Sequence, residues 1–217
     1  MEKAEADLRR AVVDAARQMN TLGINQGTSG NISVRHGSVM LITPSATPHE
    51  VMQPEQLAAM SLGAQDDAWT GPLRPSTEWR FHRAILQARP DAGAVIHTHA
   101  VHCTALSIAR QDIPACHYMV GLFGGSSVRC APYAAFGTAA LARHALVAMQ
   151  DRCACLLANH GMIVAGPTVA RALWLAVELE TLARQYIGSL QAGGAVLLTE
   201  LEVEEARRAF AGYGLQE

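Results

Sequence analysis

The sharpest chemical signal in the sequence is His97-Thr98-His99. On an extended segment residues i and i+2 share a face, so two imidazoles can aim at one point. Imidazole is a common nitrogen ligand for zinc, at roughly 2.0–2.1 Å. Two ligands do not make a site, so a third and fourth must come from elsewhere in the chain. His160, in a tight Asn159-His160-Gly161 turn between two apolar stretches, is one candidate. Glu78, in the first helical turn after Pro75-Ser76-Thr77, is the other. Each has an ordinary alternative. A His-x-His pair arises by chance in a chain with nine histidines. Turn histidines are often just satisfied structural groups, and the helix dipole alone favours a first-turn glutamate. Spacing by itself does not join the four.

A second feature could hold an anion. Gly27-Thr28-Ser29-Gly30-Asn31 offers backbone N–H groups in a glycine-permitted turn, with hydroxyl and amide side chains beside them. Ser76 and Thr77 stand at a predicted helix N-terminus and offer more donors. The glycine loop lacks the Gly-Lys-Ser/Thr ending of a P-loop, and a plain hairpin turn explains it equally. His82, His102, His117 and His144 have no ligand spacing and are read as structural or surface groups. Cys153 and Cys155 are read as core thiols on one strand face.

These residues need elements to position them. Lys3–Leu22 is amphipathic with helical spacing, and Gly23 supplies its stop. Ile32–Arg35 and Val39–Ile42 read as a hairpin, and Leu57–Leu62 as a further strand. Ser76 or Thr77 can cap a helix from Glu78 to Ala88 that Pro90 ends. Ala94–His97 is a short apolar strand. Helices follow at Val101–Ala109 and Gly137–Met149. Ala154–Ala158 and Met162–Ala165 read as paired strands around the His160 turn. Thr168 caps the longest helix, to Leu190, and a last helix spans Glu202–Phe210. Strands and helices interleave with no linker between them, which predicts one mixed α/β layer domain over residues 1–217.

Composition narrows the function. The chain has 217 residues, half of them apolar, 17% charged and a net charge of −2. Lys3 is its lone lysine. A broad basic face for nucleic acid or anionic membrane is therefore not expected. Thr168–Leu190 carries Arg171, Glu178, Glu180 and Arg184, which excludes an ordinary membrane span. The N-terminus is charged without an apolar stretch behind it, and the five cysteines form no CxxC pair. The expectation is a cytoplasmic protein with reduced thiols.

Resemblance joins the scattered residues. Asn25-Gln-Gly-Thr-Ser-Gly-Asn-Ile-Ser-Val-Arg35, Leu41-Ile-Thr-Pro44, Pro75-Ser-Thr-Glu-Trp-Arg-Phe-His82 and His97-Thr-His-Ala-Val-His-Cys-Thr-Ala105 run in order. His117-Tyr-Met119, Ala131-Pro-Tyr-Ala134, Phe136-Gly-Thr138, Asn159-His-Gly161, Ala172-Leu-Trp-Leu-Ala176 and Tyr213-Gly-Leu215 follow. Together they resemble the class II aldolase family that includes the adducin head domain. The resemblance implies a three-layer α/β/α domain with a largely antiparallel central sheet. It implies one Zn²⁺ per chain on His97, His99 and His160, with Glu78 as resting ligand and as acid/base once substrate displaces it. It implies a phosphate pocket from Thr28, Gly30, Asn31, Ser45, Ala46, Ser76 and Thr77. Tyr118 would reach a neighbouring subunit's site and Tyr213 would cover the aldehyde side, in a homotetramer with active sites between subunits.

The activity implied is reversible retro-aldol cleavage of a (deoxy)ketose 1-phosphate, with L-fuculose 1-phosphate the first expectation. Dihydroxyacetone phosphate and a hydroxyaldehyde such as L-lactaldehyde would be the products. Rivals within the family are a 4-epimerase, a decarboxylase of a 3-oxo sugar-acid phosphate and a dehydratase. Glutamate at position 78 favours aldolase or decarboxylase. A non-catalytic module like the adducin head would have lost the ligands retained here. The chain departs from the family pattern at Ser45-Ala46, where Thr-Gly is usual, at His49, where tyrosine is common, and at Ala158-Asn159 in place of Gln-His. A methyl group at Ala46 limits backbone approach if that residue needs positive φ.

Overall fold

The computed structural model describes residues 3–64 and 66–210. Helix α1 covers Lys3–Thr21, and strands β1 (Asn31–His36), β2 (Val39–Ile42) and β3 (Ala58–Ser61) form an antiparallel meander. Helix α2 (Trp79–Ala88) precedes β4 (Ala94–Thr98), and α3 (Val101–Ile108) follows directly. After β5 (Cys130–Ala131) and α4 (Ala139–Ala148) come the hairpin strands β6 (Ala154–Leu157) and β7 (Gly161–Gly166). Helices α5 (Val169–Gln191) and α6 (Glu200–Ala209) close the described chain.

The strands make one seven-stranded sheet in the order β3-β2-β1-β4-β7-β6-β5. Every neighbouring pair is antiparallel except β5 and β6. The central strands β4, β6 and β7 are buried along their whole length, as strands covered on both faces must be. Alternation divides their side chains between two cores. Ala94, Ile96, Leu156, Met162 and Val164 pack with α1, α3 and α5. Val95, Cys155, Leu157, Ile163 and Ala165 pack with α2 and α4 on the other face. The layer order is helix, sheet, helix, as expected.

Some local details differ from expectation. The cap of α2 is Glu78, not Ser76 or Thr77, and its side chain makes no capping bond. The Ser76 hydroxyl accepts from the Glu78 N–H instead, at 3.3 Å. α4 begins after Thr138, whose side chain caps it. Cys153 lies before β6 and packs into the first core, whereas Cys155 packs into the second, so the two do not share a face. The two-residue strand β5 and the 3-10 turns at Pro54–Gln56 and Tyr118–Phe123 are too short for a periodic signal. All five cysteines are free. No described helix is long and apolar enough to cross a membrane.

Candidate metal centre

Strand β4 delivers His97 to the α2 side of the sheet, where its ring meets Phe81 edge-on. The strand ends at Thr98, which faces the opposite way and donates to the Ile24 carbonyl. His99 then returns to the side of His97. The third histidine arrives by topology. β7 lies beside β4 with His97 opposite Ile163 and Thr98 opposite Met162, so the turn before Gly161 sits at the end of β4. A side chain at Gly161 would place its Cβ 2.5 Å from the Thr98 carbonyl. Glycine there lets the turn close on the strand end.

Helix α3 holds both ends of this arrangement. It starts two residues after His99, and Ala100 gives it no side-chain cap. Glu180 of α5 replaces that cap, accepting from the His102 and Cys103 N–H groups at 2.8 and 2.9 Å. At the other end the Ser107 carbonyl accepts from Asn159 N–H at 2.9 Å, and the Ser107 hydroxyl accepts from His160 N–H at 3.3 Å. Asn159 adopts a left-handed φ of 56°, which asparagine tolerates better than most residues.

The result is a convergent set of donors. Ligating atoms of His97, His99 and His160 all lie within 4.8 Å of one another. His97 Nδ1 is 2.9 Å from the Met162 carbonyl and donates to it, which leaves the Nε2 lone pair facing inward. His97 Nε2 sits 3.1 Å from His99 Nε2 and 3.2 Å from Glu78 Oε2. His160 Nε2 is 3.3 Å from Glu78 Oε1 in a geometry that makes no hydrogen bond, so this buried oxygen has no donor. Ring nitrogens and carboxylate oxygens at such distances repel unless a proton or a metal ion lies among them. The donor set fits a divalent metal: three imidazoles and one carboxylate, with an open side.

Electrostatics agree for two of the three imidazoles. Burial pushes the His99 and His160 imidazoles down to about 4, with the charge of His97 adding to the effect. Both are therefore neutral near pH 7, as metal ligands must be. Burial pushes Glu78 upward, but His97, His160 and the Asn31 amide outweigh it and hold the carboxyl far below its ordinary value. Burial lowers His97, and the neighbouring Glu78 carboxylate reverses the direction.

The remaining predicted residues divide. The Asn31 amide donates to Glu78 Oε2 at 3.0 Å. Ser45 N–H bonds the Arg74 carbonyl and Ser76 N–H the Thr43 carbonyl, both at 3.0 Å, so the 45–46 and 75–77 segments lie side by side. Thr43 in turn exchanges bonds with Ile32, next to Asn31. Gly30, at φ 73°, is confined between Asn25 and the His97 carbonyl. Gly30, Asn31, Ser45, Ala46, Ser76 and Thr77 thus occupy three adjoining segments next to Glu78. Thr28 is exposed in its loop, with no side-chain hydrogen bond to them. Tyr118 is half exposed, its ring against His117 and Phe210, and it does not line the cavity at the histidines. Tyr213 lies outside the described residues.

That cavity, of about 300 Å³, is lined by Thr77, Glu78, His99, Tyr133, Ala134, Phe136, Asn159 and His160. From the sequence, Tyr133 and Phe136 are motif members only, with no role. His82, assigned none, is fully buried, and its ring nitrogens meet Ser33 and Asn31. Its position four residues after Glu78, one helical turn on, was the available signal.

A family model for the class II aldolase and adducin N-terminal domain matches residues 10–187, and the chain belongs to this family. Its relatives are named as aldolases, which makes its enzyme class a lyase. A 5-methylthioribulose-1-phosphate/5-deoxyribulose-1-phosphate aldolase of Rhodospirillum rubrum is 49% identical over 95% of this chain and 92% of its own. An L-fuculose phosphate aldolase of Escherichia coli is 45% identical over 96% of each. A solved L-fuculose 1-phosphate aldolase superposes with a TM-score of 0.90 at 32% identity, covering 94% of this chain and 96% of that one.

Proposed function

We propose that the chain catalyses zinc-dependent, reversible cleavage of a (deoxy)ketose 1-phosphate into dihydroxyacetone phosphate and a short aldehyde. The observation that carries this reading is the inward convergence of three imidazoles on a buried carboxylate whose Oε1 lacks a donor. A divalent ion held by His97, His99 and His160 would supply the electrophile that draws the ketone electrons as the C3–C4 bond breaks. Glu78 handles the proton at the dihydroxyacetone-phosphate carbon, with Oε1 as the free base atom. The opposite proton, on the C4 hydroxyl, needs a second group at the aldehyde end. Tyr118 is suited to it if it serves a neighbouring subunit, and its exposure supports that assignment. This arrangement requires a homo-oligomer, for which we propose a cyclic tetramer in the cytoplasm. The three segments around Gly30, Ser45 and Ser76 would hold the phosphate.

The relatives divide on the aldehyde. One is named for a 5-deoxy or 5-methylthio pentulose phosphate and another for fuculose phosphate. Exposed Tyr133 and Phe136 at the cavity favour an apolar aldehyde end, which these substrates share. We take L-fuculose 1-phosphate and 5-deoxyribulose 1-phosphate as the two substrates to compare. The test is triose-phosphate release from each, beside deuterium exchange into dihydroxyacetone phosphate. Glu78→Gln should abolish both reactions at saturating zinc. Tyr118→Phe should slow cleavage by roughly 10²–10⁴-fold yet keep much of the exchange. A wild-type protein that catalyses neither reaction, with zinc bound, refutes the proposal.

A further inference from the structure

Glu78 does not stand alone behind the donor cluster. Asn31, on β1, lies directly across from His97 in the β1–β4 pairing. Its Nδ2 donates to Glu78 Oε2 at 3.0 Å. An ionised carboxylate only accepts, so the amide nitrogen must be the atom on that side. The amide oxygen is therefore turned the other way, toward His82 Nε2. An oxygen without a proton needs a donor there, so His82 carries its proton on Nε2. His82 Nδ1 is then an acceptor, and the Ser33 hydroxyl donates to it at 2.8 Å. Asn31, Ser33 and His82 are all buried, and burial keeps the His82 imidazole neutral down to about pH 3.

We propose that His82 is a positioning residue: its Nε2–H, set by Ser33, fixes the Asn31 amide so that Asn31 donates to Glu78 and leaves Oε1 as the proton-handling atom. The proposal rests on the reading of Glu78 as acid/base. Without the Nε2–H, the Asn31 amide oxygen is buried with no donor and the amide is held at one end only, so the bond to Glu78 no longer fixes which carboxylate oxygen faces the reaction. Outer partners of this kind orient the groups that do the chemistry.

The alternative role for His82 is packing, since its ring stacks on Phe81 at 4.7 Å between centroids. The two roles predict opposite orders for two variants. Phenylalanine keeps the ring and loses the donor, whereas glutamine loses the ring and can keep an N–H near the position of Nε2. We expect His82→Phe to lower kcat for deuterium exchange by about 10–100-fold at saturating zinc, a usual cost for such a partner. KM should change little, and His82→Gln should stay within a few-fold of wild type. His82→Phe as active as wild type, or better than His82→Gln, overturns the proposal. A second measurement decides the matter if either variant fails to fold. Nitrogen-15 shifts of histidine in the full chain, zinc-loaded and zinc-free, should show His82 protonated on Nε2 alone at neutral pH. A proton on Nδ1, or on both nitrogens, overturns the proposal even in an active enzyme. A correct tautomer in a wild-type protein without exchange activity would instead refute the reading of Glu78.

Discussion

Replacing Ala46 by glycine should make this protein more stable. Ala46 has a φ of 53°, in the left-handed region, although it carries a Cβ. Such a residue costs about 1–2 kcal/mol relative to the right-handed form. Glycine removes that strain but gives the unfolded chain more freedom, which cancels about 0.4–1 kcal/mol. The net expectation is a gain of about 0.5–1 kcal/mol. Ala46 is exposed, so no core contact is lost with its methyl group. For a chain of this length each kcal/mol moves Tm by about 2–4 °C, so the rise should be about 1–4 °C. Calorimetry and urea unfolding at one fixed protein concentration would measure it, with an unchanged m-value as the sign of an unchanged unfolding reaction. Ala46→Val is the opposing control, because a β-branched side chain fits the left-handed region worse still. A lower Tm for Ala46→Gly, or a tolerated Ala46→Val, would show that the loop does not hold this conformation.

Two other perturbations follow from the same geometry. Gly30→Ala should destabilise by more than about 1 kcal/mol in urea unfolding, since φ is positive, and its Cβ would meet Asn25 Oδ1 at 2.6 Å and the His97 carbonyl at 2.8 Å. Gly23→Ala, at φ 72° in open space, should cost clearly less, and equal losses would remove the steric argument. For pH, the native pKa of His82 is about 3 against an ordinary 6.5. Between those values the unfolded chain binds the proton and the native state does not, so stability falls as pH drops, by up to about 1.4 kcal/mol per unit. His82→Gln should flatten that slope below pH 6.5, and a wild-type slope in the variant would count against a buried neutral imidazole. Finally, a chelator should remove the metal, and His97→Ala, His99→Ala or His160→Ala should each lower zinc occupancy by elemental analysis. Full occupancy in any one of them removes that residue from the ligand set.

How far the sequence could be read depended on the range of the signal. The period-2 spacing of His97 and His99 is local, and so is the tight turn at His160. Their meeting is not local, because it depends on β7 lying beside β4. Neither periodicity nor turn chemistry reports which strand neighbours which. Only the family motifs supplied that link before the structure did. The departure at Ala46 was legible as a question about φ, and the backbone answers it with a positive value. The Glu78–Asn31–His82–Ser33 chain crosses from α2 to β1 over more than forty residues of sequence, so neither end marks the other. Cys153 and Cys155 were assigned one face because they are two apart, but the strand begins only at Ala154, and alternation does not apply before it.

The eight residues of α3 act as a gauge bar. One end emerges from His99 and the other grips the turn of His160 through Ser107. An α-helix advances about 1.5 Å and turns about 100° per residue. Deleting one residue would therefore swing Ser107 away from the turn as well as draw it closer to His99. Substitutions along the exposed side of α3 leave the bar's length untouched. Insertions and deletions do not, which makes length rather than composition the inherited quantity here. By contrast, residues 66–68 are exposed and fix no comparable span. A lineage of such chains would thus be expected to vary in size there while keeping one count of residues between the positions of His99 and Ser107.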